Sequence, residues 1–145
     1  ACHGAALLHN ADHNTAEALH DYGMNLGIAF QLADDLLDYA GDPSLTGKNI
    51  GDDLNEGKIT LPLLHAMKVG DERDRRIVGE ALRHKDGGAF AEVMSVVQRT
   101  GGLDATRQAA IQHQQQATHA LDQLEHTAAR ETLRLMATQA VDRLN

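Results

Sequence analysis

Apolar residues along this chain recur at spacings of three and four and almost nowhere in sustained alternation, a pattern that predicts helices and no sheet. The clearest stripe is Leu19, Tyr22, Leu26, Phe30, Ala33 and Leu37, on a long helix predicted over about residues 15–39. A shorter helix ends ahead of it at Leu8 or His9, and Asn10, Asp12 and Asn14 mark the turn between the two. Gly23 and Gly27 lie four apart inside the long helix. Each weakens a helix relative to alanine, which predicts close approach of a neighbouring helix or a ligand there. The opening ACHGAALLHN is made of helix formers with no capping residue ahead of them, so the chain reads as entering a helix partway, as a piece of a longer protein would.

Gly41, Asp42, Pro43 and Ser44 end the long helix, and 47–57 reads as an exposed loop. A short helix starts near Leu61 and Pro62, where proline suits the first turn. Helices follow over 71–84, closed by Gly87 and Gly88, and over 89–99, closed by Gly101 and Gly102. Residues 103–145 read as helical with a weak break near 126–129. The run Gln112-His113-Gln114-Gln115-Gln116 reads as a solvated helix face. The stripe Ala110, Ala117, Leu121, Leu124 and Ala128 reads as one side of an ordinary bundle helix. The fold class is all-α.

Composition narrows the function classes. The chain has 145 residues, enough for one domain or a part of one. Hydrophobic residues make up 42%, which permits a core, and a net charge of −8 with no basic stripe argues against a nucleic-acid partner. Cys2, the single cysteine, cannot form an internal disulfide, so a reducing, cytoplasmic compartment is the simplest expectation. It reads as a small core residue, since no base is placed for it as a nucleophile. No apolar run reaches the length of a membrane span, and no leader pattern opens the chain. Nine histidines raise the question of zinc. Asn10 and Asp12 put a turn between His9 and His13, and no third ligand has useful spacing, so a zinc site is not expected.

Carboxylates then change the picture. FQLADDLLDY places Gln31, Asp34, Asp35 and Asp38 on one side of the long helix, because residues three and four apart share a face. Three like charges within a turn repel one another unless a cation sits among them. Oxygen-only ligands suit a hard divalent cation, and Mg²⁺ takes one or two carboxylates, several waters and the phosphate oxygens of a substrate. Lys48 and Lys58 each follow a glycine, and Asp52 lies four residues after Lys48, placed to hold a metal-bound water or to orient the lysine. Magnesium, carboxylates and two lysines together describe a diphosphate site. Against this stands a plainer reading, in which the aspartates decorate a solvated helix face. Phe30, Leu32, Leu36 and Leu37 around them indicate instead a helix packed on its other sides, with its acids facing a cleft.

The arrangement Phe30-Gln31, Asp34-Asp35-Leu36-Leu37-Asp38, Gly47-Lys48, Asp52, and Gly57-Lys58 before Thr60-Leu61-Pro62 resembles the second aspartate-rich region of the trans-isoprenyl diphosphate synthases. YGMNLGIAFQ upstream is similar to the same family, GDDLNEGKITLPLL resembles its long-chain members most, and the closing VDRLN is similar to family C-termini. The resemblance implies a helical bundle of the isoprenoid synthase type, with 1–145 forming its C-terminal part. It implies condensation of an allylic diphosphate with isopentenyl diphosphate, dependence on Mg²⁺, and a homodimer of the complete enzyme. By the same resemblance Asp34, Asp35, Asp38 and Asp52 serve the metal, Asp34, Lys48 and Lys58 carry catalysis, and Phe30, Gln31 and the two lysines meet the substrate. The family's first DDxxD and its lysine–threonine pair have no counterpart here. Two other readings follow from that gap: a noncatalytic regulatory or structural subunit, and a truncated inactive fragment. A terpene cyclase of related fold fits less well, because cyclases replace the GK…GK-TLP run with another metal motif.

Overall fold

The computed structural model describes residues 1–40, 51–85 and 87–142. Among these residues every regular element is a helix, as the spacing of apolar positions predicts: α1 (Cys2–Leu8), α2 (His13–Ala40), α3 (Asp52–Glu56), α4 (Leu61–Val69), α5 (Glu72–His84), α6 (Phe90–Arg99), α7 (Gly102–Ala120) and α8 (Ala128–Asp142). Short 3-10 turns at Gly87–Ala89 and Leu121–Gln123 join some of them.

Several boundaries differ from the expected ones, each for a local reason. α2 begins two residues early because Asp12 caps it: its carboxylate accepts the Thr15 N–H at 3.1 Å and the Thr15 hydroxyl at 2.6 Å. Those bonds hold the Asp12 carboxyl below its ordinary range. α1 has no side-chain cap, in line with the sequence. α5 starts with a reciprocal capping box between Asp71 and Asp74. It is closed by Lys85 in the left-handed region at φ 52°, rather than by Gly87 and Gly88, which instead open the next 3-10 turn. The break expected near 126–129 already begins at Leu121, where α7 tightens into a 3-10 turn before the chain re-enters a helix at Ala128. The largest correction concerns 47–57, read as an exposed loop. Residues 52–56 form α3, with Asp53 and Leu54 buried, between Gly51 at φ 85° and Gly57 at φ 73°. Two left-handed glycines allow a single helical turn to start and stop within seven residues.

The chain divides into two compact units, Ala1–Ala33 with Ala109–Asn145, and Asp34–Gln108; the division passes through α2 and α7. In the first unit Tyr22, Ala117, Ala120, Leu121 and Ala137 form a core, flanked by Cys2, Leu26, Leu124 and Leu133. The Tyr22 hydroxyl donates to the Leu133 carbonyl at 2.9 Å. Of the predicted stripe within this unit, Tyr22 and Ala33 are fully buried, Leu19 and Leu26 half-buried, and Phe30 52% exposed. The buried face of α2 uses Ala18, Tyr22, Ala29 and Ala33, so small residues rather than large ones set the closest packing. At Gly23 a Cβ would sit 3.2 Å from Cys2, so the expected close approach is there, and Cys2 packs against the core as expected. Gly27 instead opens onto a cavity of about 580 Å³ lined by Met24, Phe30 and Met136 among others. Gln112, Gln115 and Gln116 are exposed, while His113 is half-buried and bonds to Asn25 at 2.8 Å.

The second unit is packed with branched aliphatics. Leu54, Leu63, Val78, Val93, Val96 and Val97 are inaccessible or nearly so, with Tyr39, Ala66 and Ala81 completing the cluster. Phe90 stacks on Tyr39 with ring centroids 6.1 Å apart. Burying a leucine such as Leu63 stabilises a fold by about 1.5–3 kcal/mol, so α3 to α6 form a firm support for what the end of α2 carries.

Candidate functional site

The acids sit on the last turns of α2, which runs without interruption through Asp34, Asp35 and Asp38. Asp34 is half-buried, Asp35 is buried and Asp38 is only 4% exposed. Carboxylates so placed require polar partners, because burying an unpaired charge is prohibitive. That burial sets Asp35 and Asp38 apart from a solvated helix face.

α3 supplies the partners for Asp38. The Asp53 N–H donates to both Asp38 carboxylate oxygens at 3.3 Å, and the Gly51 N–H donates to the Asp38 carbonyl at 3.0 Å. Gly51 is required at that joint twice over: its φ is 85°, and a Cβ would lie 2.6 Å from the Phe90 ring. Asp53 then turns its side chain the other way. Its carboxylate accepts the Lys58 ammonium at 2.9 Å, and its carbonyl accepts the Lys58 N–H at 2.8 Å. Glu56 meets the same ammonium at 2.7 Å. The hydrogen bonds from Asp53 and then Glu56 push the Lys58 ammonium well above the ordinary lysine value, so it stays charged. An ammonium has three N–H donors, and these two carboxylates leave one for an incoming anion. The Lys58 side chain is 57% exposed, which leaves it reachable.

Beneath the acids, Tyr39 and Thr60 share a buried hydrogen bond of 2.8 Å between their hydroxyls. Burial raises the Tyr39 phenol far above its ordinary value, and the nearby charges of Asp38, Asp53 and Asp35 act in the same direction. The phenol is therefore a neutral support for the acidic cluster.

The structure thus brings Asp38 and Lys58 together through Asp53, a residue to which the sequence reading assigned no role. Asp52, which it did choose, is half-buried at the start of α3 beside Asp53. A signal for Asp53 was present: an aspartate five positions before Lys58, enclosed by Gly51 and Gly57. Phe30 and Gln31 belong to the first unit, where Phe30 lines the cavity and Gln31 is exposed. Lys48 lies outside the described residues. His9 ends α1 with its ring bonded to the Ala5 carbonyl, while His13 opens α2.

Among the described residues no three histidine, cysteine, aspartate or glutamate side chains converge to hold a metal ion by themselves. The donors that α2 offers are carboxylate oxygens. This combination fits Mg²⁺, which accepts one or two carboxylates and completes its octahedron with water and phosphate oxygens. Among the described residues, no helix is long and apolar enough to cross a membrane.

The chain is similar to known proteins over most of its length. The family model for polyprenyl synthetase matches residues 1–100. Octaprenyl diphosphate synthase of Escherichia coli (strain K12) is 46% identical over 128 residues, covering 88% of this chain and 40% of that protein. The crystal structure of polyprenyl synthase from Caulobacter crescentus CB15, complexed with calcium and isoprenyl diphosphate, superposes with a TM-score of 0.83 at 39% identity, over 96% of this chain and 43% of that one. Geranylgeranyl pyrophosphate synthase from Corynebacterium glutamicum, complexed with isoprenyl diphosphate and magnesium, gives a TM-score of 0.78 at 31% identity, over 92% of this chain and 39% of that one. The helical fold expected from the sequence is therefore the fold of these synthases. The chain spans about two fifths of the length of the relatives it matches.

Proposed function

This chain belongs to the polyprenyl synthetase family, and on that premise we propose that the intact protein condenses an allylic diphosphate with isopentenyl diphosphate to make a longer trans-polyprenyl diphosphate. In this reading residues 1–145 supply the second aspartate-rich wall of the cleft. The observation that carries it is the hydrogen-bonded linkage from buried Asp38 through Asp53 to the exposed Lys58, which ties carboxylates suited to a cation to an ammonium suited to an anion.

The reaction begins with ionisation. The allylic C–O bond breaks, its electron pair leaves with the diphosphate, and negative charge grows on the departing oxygens. Mg²⁺, when bound, supplies positive charge at those oxygens, and Asp34, Asp35, Asp38 and Asp52 are the residues that would hold it, directly or through water. Lys58 and Lys48 donate N–H bonds to the same diphosphate and keep it from diffusing away. Gln31 orients the diphosphate or a bound water. Phe30 forms apolar floor beside the reacting carbons and excludes water that would trap the cation. The double bond of isopentenyl diphosphate then attacks C1 of the allylic cation, forming the new C–C bond. Loss of a proton to the released diphosphate restores a double bond.

We also infer that the intact protein works as a cytoplasmic homodimer. Leu7 and Leu8 on α1 are 59% and 83% exposed, and adjacent apolar side chains of that size call for a covering surface, which the remainder of the intact protein or a second copy supplies. The free thiol of Cys2 accords with a reducing compartment. The test of the activity is a prenyl-transfer assay of the intact protein with allylic and isopentenyl diphosphates. Chain-length products that disappear on chelating divalent cations are expected. An intact, folded protein that makes none with Mg²⁺ present overturns the reading in favour of a noncatalytic subunit.

A further inference from the structure

We infer that Asp53 is a positioning residue for diphosphate recognition, acting through Lys58: it fixes the lysine ammonium with its carboxylate while its own amide holds Asp38. The inference rests on the proposed activity and adds a residue to it.

Lys58 lies on the surface side of the cluster, and its flexible stem gives it many rotamers. An exposed ammonium of this kind loses side-chain entropy whenever it is fixed on a ligand. Asp53 removes part of that freedom beforehand. Its carboxylate is 13% exposed, so it cannot swing away with the lysine, and it accepts the ammonium at 2.9 Å. The backbone closes the same loop, with the Lys58 N–H on the Asp53 carbonyl at 2.8 Å. Glu56 also bonds Lys58, but its side chain is 60% exposed and offers no such fixed point.

The other end of Asp53 faces α2. Its N–H reaches both oxygens of Asp38 at 3.3 Å, and the preceding joint at Gly51 bonds the Asp38 carbonyl. The position of the ammonium relative to the acids of α2 therefore depends on one short path: Asp38 carboxylate, Asp53 amide, Asp53 carboxylate, Lys58. A cation site and an anion site that must share one diphosphate need that relative position held, and errors of about 1 Å in such geometry cost about 10²-fold in rate. Asp74 offers a useful contrast within the same unit. It is more deeply buried than Asp53, but it caps the start of α5 with Asp71 and pairs with Arg99 at the end of α6, not with a lysine.

The experiment is a double-mutant cycle in the intact protein: wild type, Asp53→Ala, Lys58→Ala and the double variant, assayed for prenyl transfer, with melting temperatures measured alongside. Asp53→Ala is expected to lower kcat/KM for the diphosphate substrates by about 10-fold or more. In the Lys58→Ala background the same change is expected to lower it by less than 2-fold, because the group it positions is gone. Equal losses in both backgrounds would overturn the inference and make Asp53 a structural residue. Should Asp53→Ala fail to fold, the isosteric Asp53→Asn completes the same cycle. If wild type transfers no prenyl group, the proposed activity itself fails. Calorimetry with inorganic diphosphate then decides the positioning role separately: binding weakened by Asp53→Asn in wild type but not in Lys58→Ala supports it, and binding unaffected by Asp53→Asn refutes it.

Discussion

The two units treat size and charge in opposite ways. The first packs small residues, Ala18, Ala29, Ala117, Ala120 and Ala137, around Tyr22, and leaves large apolar side chains such as Met24, Phe30 and Met136 open around a cavity. Among the described residues its buried charge is Arg130, whose guanidinium donates to the Leu124 carbonyl at 2.8 Å and to Asp122 at 3.1 Å, bridging the break between α7 and α8. The second packs Leu54, Leu63 and four valines, and buries Asp35, Asp38, Asp53 and Asp74. A rigid aliphatic support beneath buried acids is what electrostatic preorganisation requires, since the charges must not reorganise as the leaving group departs. The comparison also shows that burial alone does not mark function. Arg130 bridges the break before α8 and Asp74 caps the start of α5, whereas Asp38 and Asp53 lead to an exposed ammonium.

The contrast can be broken first at the support. Leu63→Ala in the intact protein is expected to cost about 2–5 kcal/mol, read as a fall in the denaturant midpoint, because Leu63 is fully buried and its truncation leaves a cavity. A loss below about 1 kcal/mol would mean that the second unit is not the rigid one. Asp34→Ala tests the acids next. Turnover should fall about 10²-fold or more with little change in melting temperature, since the residue is placed for charge that develops in the transition state. Near-normal turnover would take Asp34 out of the proposed metal-binding set. Tyr22→Phe probes the first unit. It removes one hydrogen bond to the Leu133 carbonyl and should cost about 1 kcal/mol in the same denaturant measurement, leaving prenyl transfer unaltered.

A pH titration sharpens the comparison from another side. Burial raises both phenols, Tyr22 and Tyr39, above their ordinary value of 10.0, and Tyr39 by far the more. A folded-state pKa above the unfolded one contributes stability that is complete below about pH 10 and is lost as pH rises toward the folded value, because only the unfolded chain releases the proton early. Ultraviolet absorbance should therefore show tyrosinate appearing together with alkaline unfolding, and Tyr39→Phe should flatten the loss of stability above pH 10. Free ionisation of both phenols in the folded protein near pH 10 would contradict the burial.

Much of this was legible in the sequence, and the misses share a cause. The long helices showed in the three-and-four spacing, and Pro62 in the first turn of α4 marked its start. Asp34, Asp35 and Asp38 declared themselves as carboxylates within an apolar helix. α3 stayed hidden because five residues carry no period, and only the φ values of Gly51 and Gly57 reveal a turn of helix between them. Asp53 was overlooked for the same reason: its spacing to Lys58 was visible, but next to Asp52 it has equal chemistry, and the phase of α3 decides which carboxylate is buried. Within the stripe the sequence could not separate core from cavity: α2 buries its alanines and Tyr22, and presents Phe30, expected from the family resemblance to meet the substrate, to a cavity.

The central claim is that the acids of α2 take up Mg²⁺ together with a diphosphate and not before it. Calorimetry of Mg²⁺ binding to the intact protein, with and without a nonhydrolysable allylic diphosphate analogue, tests this directly. The account predicts weak binding of the ion alone, because protein carboxylates fill only part of its octahedron, and binding at least about 10-fold tighter with the analogue present, a gain that Asp34→Ala abolishes. Equal Mg²⁺ affinity in the two conditions, or a gain that survives Asp34→Ala, would contradict it.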